Sequence, residues 1–312
     1  MEERKFHVLM RELCLEEGIE FEKLSYGWIL QLTKKGKVRH IAGNRFDINP
    51  EAAGNIACDK YATYEVLKSQ NIPVIKHKMV FNPTNRSRYI SDEGIWMNVA
   101  SEFLKYGTLV VKPNYGSEGM GIYLCKTMKE VEAAISKLFK SHGSISICPY
   151  YNIKKEYRTF YLNGEVLLIY GKTKPSVKGD GKKTLRELIE ENLNMPDKSV
   201  ARENLNNIDL DYVPSDGEEF DISWKHNLSG GATPEILKEG ELYEGVKQLA
   251  IEAGKAMNVK FATIDVIQTD DDNLYIMEVN SGVCATIFID SVDGGYEIIK
   301  EIYRKALKEL FK

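Results

Sequence analysis

The segment "TIDVIQTDDDNLYIMEVNSG", residues 263–282, limits the fold more than any other stretch of the chain. Two apolar, β-prone runs flank a polar tip, Asp270 to Asn273, which spells an antiparallel hairpin. Folding it symmetrically about Asp271 and Asp272 brings Asp265 opposite Glu278, with Asn280 two residues further along the same face. Like charges facing each other across a strand pair repel, and partial burial would raise one carboxyl sharply unless a cation sits between them. A hard divalent ion removes the conflict. Magnesium takes oxygen ligands, keeps several waters and completes its shell with substrate phosphates. The hairpin therefore predicts a metal at Asp265, Glu278 and Asn280, and a nucleotide beside it. The competing reading of the two acids is a solvated hairpin end, which a one-residue slip in register would produce.

At 312 residues, 43% apolar and 28% charged, the chain has the length for two or three subdomains and a sizeable core. A formal net charge of −4 gives no general attraction to nucleic acid or to an anionic membrane. The N-terminus "MEERKFHVLM" lacks an apolar signal core, and no stretch approaches the roughly 18 apolar residues of a membrane span. The expected location is the cytoplasm. Five cysteines (14, 58, 125, 148 and 284) without a Cys-x-x-Cys pairing read as reduced thiols, not as a disulfide framework or a structural zinc. The five histidines show no metal-ligand spacing, so a metal here is held by oxygens.

Helices are expected over 3–17, 59–69 with Asp59 as N-cap, 95–105, 129–140, 241–257 and 296–310, with another starting near Leu185. Short β-prone pieces fall at 28–32 and 37–41. "TLVVKPNYGSEGMGIYLC" reads strand, glycine-rich loop, strand, and the Asn163-Gly164 pair marks a hairpin turn. The polar stretches "KTKPSVKGDGKKT" and "KHNLSGGATPE" read as irregular loops of the kind that carry function.

Two familiar nucleotide motifs are excluded. The nearest Walker-type match ends in Gly181-Lys182, but residue 183 is Lys and the position of the first glycine is Ser176. "GSEGMG" has the dinucleotide spacing reversed and lies between two strands instead of opening a helix. Glycines between strands suit a flap whose backbone N–H groups close over phosphate oxygens, although a plain turn needs much the same residues.

Four segments resemble the ATP-grasp family, in the family's order, over residues 58–282. "ACDKYATYEVLKSQNIPV" looks like its first nucleotide-binding lysine and helix, and "LVVKPNYGSEGMGIYL" like its second lysine and phosphate flap. "ICPYYNIKKEYRTFYLNGEV" resembles the adenine hinge and catalytic arginine strand, and "IDVIQ…YIMEVN" the Asp/Glu/Asn magnesium site. Within the family, "VKGDGKKTLREL" and "KHNLSGGA" look closest to cyanophycin synthetase and to the glutathione synthetase part of bifunctional glutathione enzymes. The resemblance implies an α+β ATP-grasp fold, with nucleotide between two α+β subdomains and a small N-terminal subdomain. On this reading residues 1–57 form that small subdomain and 58–312 the ATP-grasp domain, with one ATP-binding lobe over about 70–150 and a second over 151–312.

The same resemblance implies ATP and Mg2+, with Mn2+ as a substitute. It implies an ADP-forming ligase that makes a carbon-nitrogen bond between a small-molecule or peptide carboxylate and an amine through an acylphosphate, and a homo-oligomer as an option. By residue, the nucleotide contacts would be Lys60, Lys112, the flap residues Gly116, Ser117, Glu118, Gly119 and Gly121, the hinge residues Cys148, Tyr150 and Tyr151, and Glu156. Arg158 and Asn227 would be catalytic, with Arg158 on the transferred phosphoryl group. Because Pro149 has no N–H, an adenine at the hinge must take the N–H of Tyr150 or Tyr151. Each has a plainer reading: the lysines as charges snorkelling past the core, Arg158 as half of a cross-strand ion pair, Glu156 as a neighbour of Arg158 alone instead of a contact to ribose or substrate, the glycines as turns. His226 is expected to be structural or solvent-facing. Relatives commonly follow the metal-binding Asn with a small pair and then Pro-Gly, whereas this chain reads "NSGVCATIFID", so the relatives' products are not carried over. A small-molecule kinase and a non-catalytic ATP-binding or structural protein, such as a spore-coat protein, are the alternatives. The second of these would be expected to have lost part of the charged set.

Overall fold

The computed structural model describes residues 3–83, 95–116, 119–192, 208–226 and 228–312. The chain opens with helix α1 (Lys5–Glu16) and four strands, β1 (Glu20–Leu24), β2 (Ile29–Lys34), β3 (Lys37–Ala42) and β4 (Arg45–Phe46), paired in that order. Helices α2 (Glu51–Cys58) and α3 (Lys60–Ser69) follow, where the sequence predicted only the second. Asp59 caps α3 by accepting the Ala62 N–H at 2.8 Å. Next come β5 (Lys78–Phe81), α4 (Ile95–Tyr106), β6 (Leu109–Pro113), β7 (Tyr123–Cys125), α5 (Met128–Leu138) and β8 (Ser144–Pro149). These strands form a sheet in the order β5-β8-β6-β7, and α5 starts from a Thr127/Glu130 capping box.

The remainder is β9 (Ile153–Leu162), β10 (Glu165–Lys172), β11 (Ser176–Lys178), α6 (Leu185–Asn192), β12 (Glu219–Asp221), β13 (Pro234–Ile236), α7 (Glu241–Ala256), β14 (Phe261–Thr269), β15 (Leu274–Asn280), α8 (Thr286–Ser291) and α9 (Gly295–Leu310). The main sheet is antiparallel in the order β13-β10-β9-β14-β15, and β11 and β12 pair apart from it beside α6. Asn163 and Gly164 turn β9 into β10 with φ of 47° and 93°, the left-handed pair that a tight hairpin requires. No helix among the described residues is long and apolar enough to cross a membrane.

The two faces of the main sheet meet different fates. One face is Tyr157, Tyr161, Ile169, Ala262, Ile264, Val266, Ile276 and Val279, buried under α2, α3 and α7. Helix α7 comes so close that a Cβ on Gly254 would lie 2.5 Å from the Tyr161 ring, which explains a glycine inside a long helix. The opposite face begins as core, with Phe160, Leu168 and Phe261 packed under α8 and α9. Further along the same strands the helical cover ends, and the residues become Arg158, Asp265, Glu156 and Lys172.

The N-terminal unit shares that second core. Phe6, Leu9, Met10 and Leu13 of α1 and Leu30, Leu32, Ile41 and Phe46 of its sheet join Tyr303, Ile299, Ala306 and Leu307 of α9 in one cluster. Its last strand is also tied to the loop after β15: Arg45 bridges Gly282, and the Val283 N–H donates to the Asn44 carbonyl at 2.9 Å.

Two bulges set which side chains reach the open part of the sheet. On β15, Ile276 faces Val266 while Glu278 faces Asp265, so Met277 is an extra residue. Strict alternation would place Glu278 on the face of Ile276, beneath the helices, and the inserted residue turns it to the other side. On β10, Leu167 is inserted between pairs Val166–Tyr161 and Leu168–Phe160. It moves Lys172 off the helix-covered face that Val166 packs against.

Candidate active site

A cleft of about 400 Å³ lies between the β5–β8 sheet and the open half of the main sheet. Strand register orders its contents. Along β14 the cleft face runs Ile267, Asp265, Thr263, paired in turn with Glu156, Arg158 and Phe160 on β9. Thr269, beyond Ile267, pairs with Ile153 beside the hinge at 149–151, and Thr263 pairs with Asn280. Ile267 therefore marks the hinge end and Asn280 the opposite end, with the charged row between them.

At the hinge end the wall is Ile75, Val110, Cys148, Pro149, Tyr150, Tyr151 and Ile153. Burial raises the Cys148 pKa, so it stays a thiol and fills space. The Tyr150 N–H donates to the Thr108 carbonyl at 3.1 Å, so of the two donors read from sequence Tyr151 is the one outside that bond. Trp224 packs edge-on to Tyr150 from above, with ring centroids 6.1 Å apart.

Lys60 and Lys112 both reach the cleft. Lys60 opens α3, donates to the Gly116 carbonyl at 3.1 Å and is tied through its own N–H to the Asn114 carbonyl at 3.3 Å. Asn114 is fully buried and its side chain accepts the Tyr61 N–H, while Tyr115 donates to the capping Asp59. One local network thus fixes the first lysine and the root of the glycine-rich loop together. Burial lowers the Lys60 pKa, Glu278 opposes that shift and Lys112 adds to it. Lys112 is buried beside Ser146, whose hydroxyl meets His77 Nδ1 at 2.7 Å. The two lysines place two positive charges at the mouth of the glycine-rich loop, an arrangement suited to an anion. Gly116 and Gly119 line the cleft. Gly121 makes the turn below it, where a Cβ would press on Leu138 and Pro113. Ser117, Glu118 and Asn227 lie outside the described residues.

The charged row is a four-membered network. Arg158 grips Asp265 in a fork, Nε to Oδ1 at 2.8 Å and Nη2 to Oδ2 at 2.7 Å, and Lys172 Nζ donates to the same Oδ2 at 3.0 Å. Lys172 also pairs with Glu156. Burial alone would raise the Asp265 carboxyl, but Arg158 and Lys172 hold it well below the usual carboxylate range. Glu156 moves the other way, its burial outweighing Lys172. The sequence reading paired Glu156 with ribose, substrate or Arg158, and its partner is Lys172. That residue was missed because only the Leu167 bulge turns it toward the cleft.

Asp265 and Glu278 do face each other, as the folded hairpin requires, and Asn280 Nδ2 donates to Glu278 Oε1 at 3.1 Å. Glu278 and Asn280 present oxygens on the cleft wall and fit a hard divalent ion. Asp265 is 1% exposed, and both its oxygens already serve Arg158 and Lys172. Its donor capacity toward a metal is what lone pairs remain.

Of the two readings of His226, structural or solvent-facing, the structure excludes the second. The residue is 5% exposed, lines the cleft and leaves Nδ1 enclosed without a hydrogen-bond partner. Burial, with Lys174 and Lys172 nearby, lowers its pKa to about 4. The segment carrying it folds over the cleft, and Lys225 Nζ donates to the Gly119 carbonyl on the flap at 3.3 Å.

The fold is that of ATP-grasp ligases of known structure. A family model described as a RimK-like ATP-grasp domain matches residues 217–304. A cyanophycin synthetase from Trichormus variabilis (strain ATCC 29413 / PCC 7937) is 25% identical over 272 residues, which covers 82% of this chain and 29% of that protein. The glutathione biosynthesis bifunctional protein GshAB of Listeria monocytogenes serotype 4b (strain F2365) is 26% identical over 214 residues, 61% of this chain and 27% of that one. The chain thus spans less than a third of the length of these relatives. Among solved structures, a bifunctional glutathione synthetase from Pasteurella multocida superposes with a TM-score of 0.57 at 18% identity, covering 96% of this chain and 44% of that one.

Proposed function

We propose that this chain is an ATP- and Mg2+-dependent carboxylate-amine ligase that forms an amide or peptide bond through an acylphosphate. The observation that carries the reading is the order of groups along one cleft: an apolar hinge, two lysines with a glycine loop, an arginine, and two oxygen donors at Glu278 and Asn280. Similarity to a cyanophycin synthetase and to GshAB supports it.

The adenine would lie against Ile75, Pro149 and Tyr151, with Lys60, Lys112 and the flap on the phosphates. Mg2+ would be held by Glu278 and Asn280 with Asp265, and supplies charge neutralisation between phosphate oxygens. Arg158 has 22% of its side chain exposed to the cleft although its fork is on Asp265. Its remaining N–H donors would hold the substrate carboxylate and the oxyanion that develops on it. A carboxylate is a poor acylating agent until one oxygen leaves as phosphate, which accounts for the use of ATP. The protein supplies positioning and charge without a nucleophile of its own.

The test is hydroxamate formation from ATP, Mg2+, hydroxylamine and pooled amino acids and short peptides, with ADP measured in the same sample. Hydroxamate matched by ADP is the expected result. ADP matched by a phosphorylated hydroxyl product, with no hydroxamate, would overturn the ligase in favour of a kinase.

A further inference from the structure

Beyond Asn280 the cleft changes character. Its walls there come from three separate parts of the chain: Asn44 from the N-terminal unit, the run Gly282 and Cys284 to Phe288, and Leu228 with Ser229 from the overlying segment. Tyr170 closes the floor and packs on Phe288, with centroids 5.0 Å apart. No Asp, Glu, Lys or Arg is among these residues. Among the described residues, Lys60, Lys112, Glu156, Lys172, Lys225, Asp265 and Glu278 line other parts of the cleft, and Arg158 stands opposite the floor residue Tyr170 on the neighbouring strand. Arg45, next to Asn44, turns its guanidinium to Cys58 Sγ at 2.9 Å and is absent from the wall. Along the run, Cys284 is exposed and Ile287 half-buried, so a ligand there meets a thiol and an aliphatic chain over a floor of Phe288 and Tyr170.

We infer that this end of the cleft is a subsite for an uncharged, apolar or aromatic side chain on one of the two ligation substrates. The inference rests on the ligase reading of the same site and adds the substrate class. A cationic side chain placed there would lose water beside Arg158, and an anionic one would find that arginine already forked onto Asp265, so neither is compensated for its lost hydration. A leucyl or phenylalanyl side chain would instead leave water for apolar contact with Leu228, Ile287 and Phe288. The N-terminal unit is part of the subsite, since Asn44 and the Arg45–Gly282 bridge hold one side of it.

The experiment has two arms that read the two sources of the side chain, and a third that needs no turnover. Hydroxamate assays with Leu, Phe, Asp, Glu, Lys and Arg donors read the carboxylate partner, and product formation from donor–acceptor pairs reads the amine partner. In one of these arms apolar substrates should exceed charged ones by at least tenfold in kcat/KM. Ile287→Asp should reverse that order in favour of Lys and Arg, with ATP affinity as the control for folding. Independently, the protein loaded with a non-hydrolysable ATP analogue is alkylated with iodoacetamide, and the rate at Cys284 is followed by mass spectrometry. Phe- and Leu-containing dipeptides should slow it about fivefold or more, and Asp-, Glu-, Lys- and Arg-containing dipeptides should not. Equal or greater protection by a charged dipeptide, or none by the apolar ones, overturns the subsite. Absence of hydroxamate alongside selective protection would instead count against the ligase reading alone.

Discussion

Replacing Lys172 by Met should unfold this protein more readily than any change of a surface lysine, and the network predicts by how much. Lys172 and its partners Glu156 and Asp265 retain 5%, 6% and 1% of side-chain exposure, and with Arg158 the four charges cancel. At 3.0 Å and an effective dielectric of about 20, the attraction of Lys172 for Asp265 alone is about 5 kcal/mol. Removing the lysine leaves two buried carboxylates sharing one arginine, a loss of about 3–5 kcal/mol. Glu156 can limit the damage by taking up a proton, since burial already raises its pKa. Lys172→Met combined with Glu156→Gln removes one charge of each sign and keeps the volume. The double variant should therefore be more stable than Lys172→Met by at least about 2 kcal/mol. Equilibrium urea unfolding of the wild type, both singles and the double gives the coupling directly. Additive single effects, or a Lys172→Met loss below about 1 kcal/mol, would refute the reasoning, because the lysine would then be acting as an exposed charge.

Three further outcomes are expected. Glu278→Gln should abolish Mg2+-dependent ADP formation while leaving the free energy of unfolding within about 0.5 kcal/mol of wild type, and retained Mg2+ dependence would remove Glu278 from the metal site. Gly254→Val should destabilise by on the order of 1–3 kcal/mol in thermal unfolding, because the new side chain meets the Tyr161 ring; a neutral result would mean that α7 shifts freely. His226 is held neutral by burial and by Lys174 and Lys172, so its folded pKa of about 4 lies below its unfolded value. Its contribution to stability is therefore present above about pH 6.5 and is lost as pH falls toward 4. His226→Gln should flatten the stability profile over that window in pH-dependent unfolding, and an unchanged profile would exclude His226 as a source of it.

What the sequence disclosed was local. The Asp59 cap, the Asn163-Gly164 turn and the opposition of Asp265 to Glu278 each depend on a few neighbouring residues, and each is present. Lys172 escaped notice because its facing depends on one inserted leucine, chosen by what α7 and α8 cover and by nothing in the propensity of the strand. His226 escaped because no local signal shows that Trp224, Lys225 and His226 line the cleft. The sharing of one core by α1 and α9 is a contact between the two ends of the chain, which periodicity within either helix does not report.

The insertions at Leu167 and Met277 carry a consequence for how such a site is inherited. Loss of Met277 would leave Ile276 and Glu278 adjacent on a regular strand, facing opposite sides, so the carboxylate would stay on the cleft. A chain that kept Met277 but paired without the bulge would keep every acid, lysine and arginine of the set and match the same motifs, with Glu278 turned into the layer beneath α2 and α7. The pairing of β14 with β15, and not their list of residues alone, decides whether that carboxylate reaches the cleft.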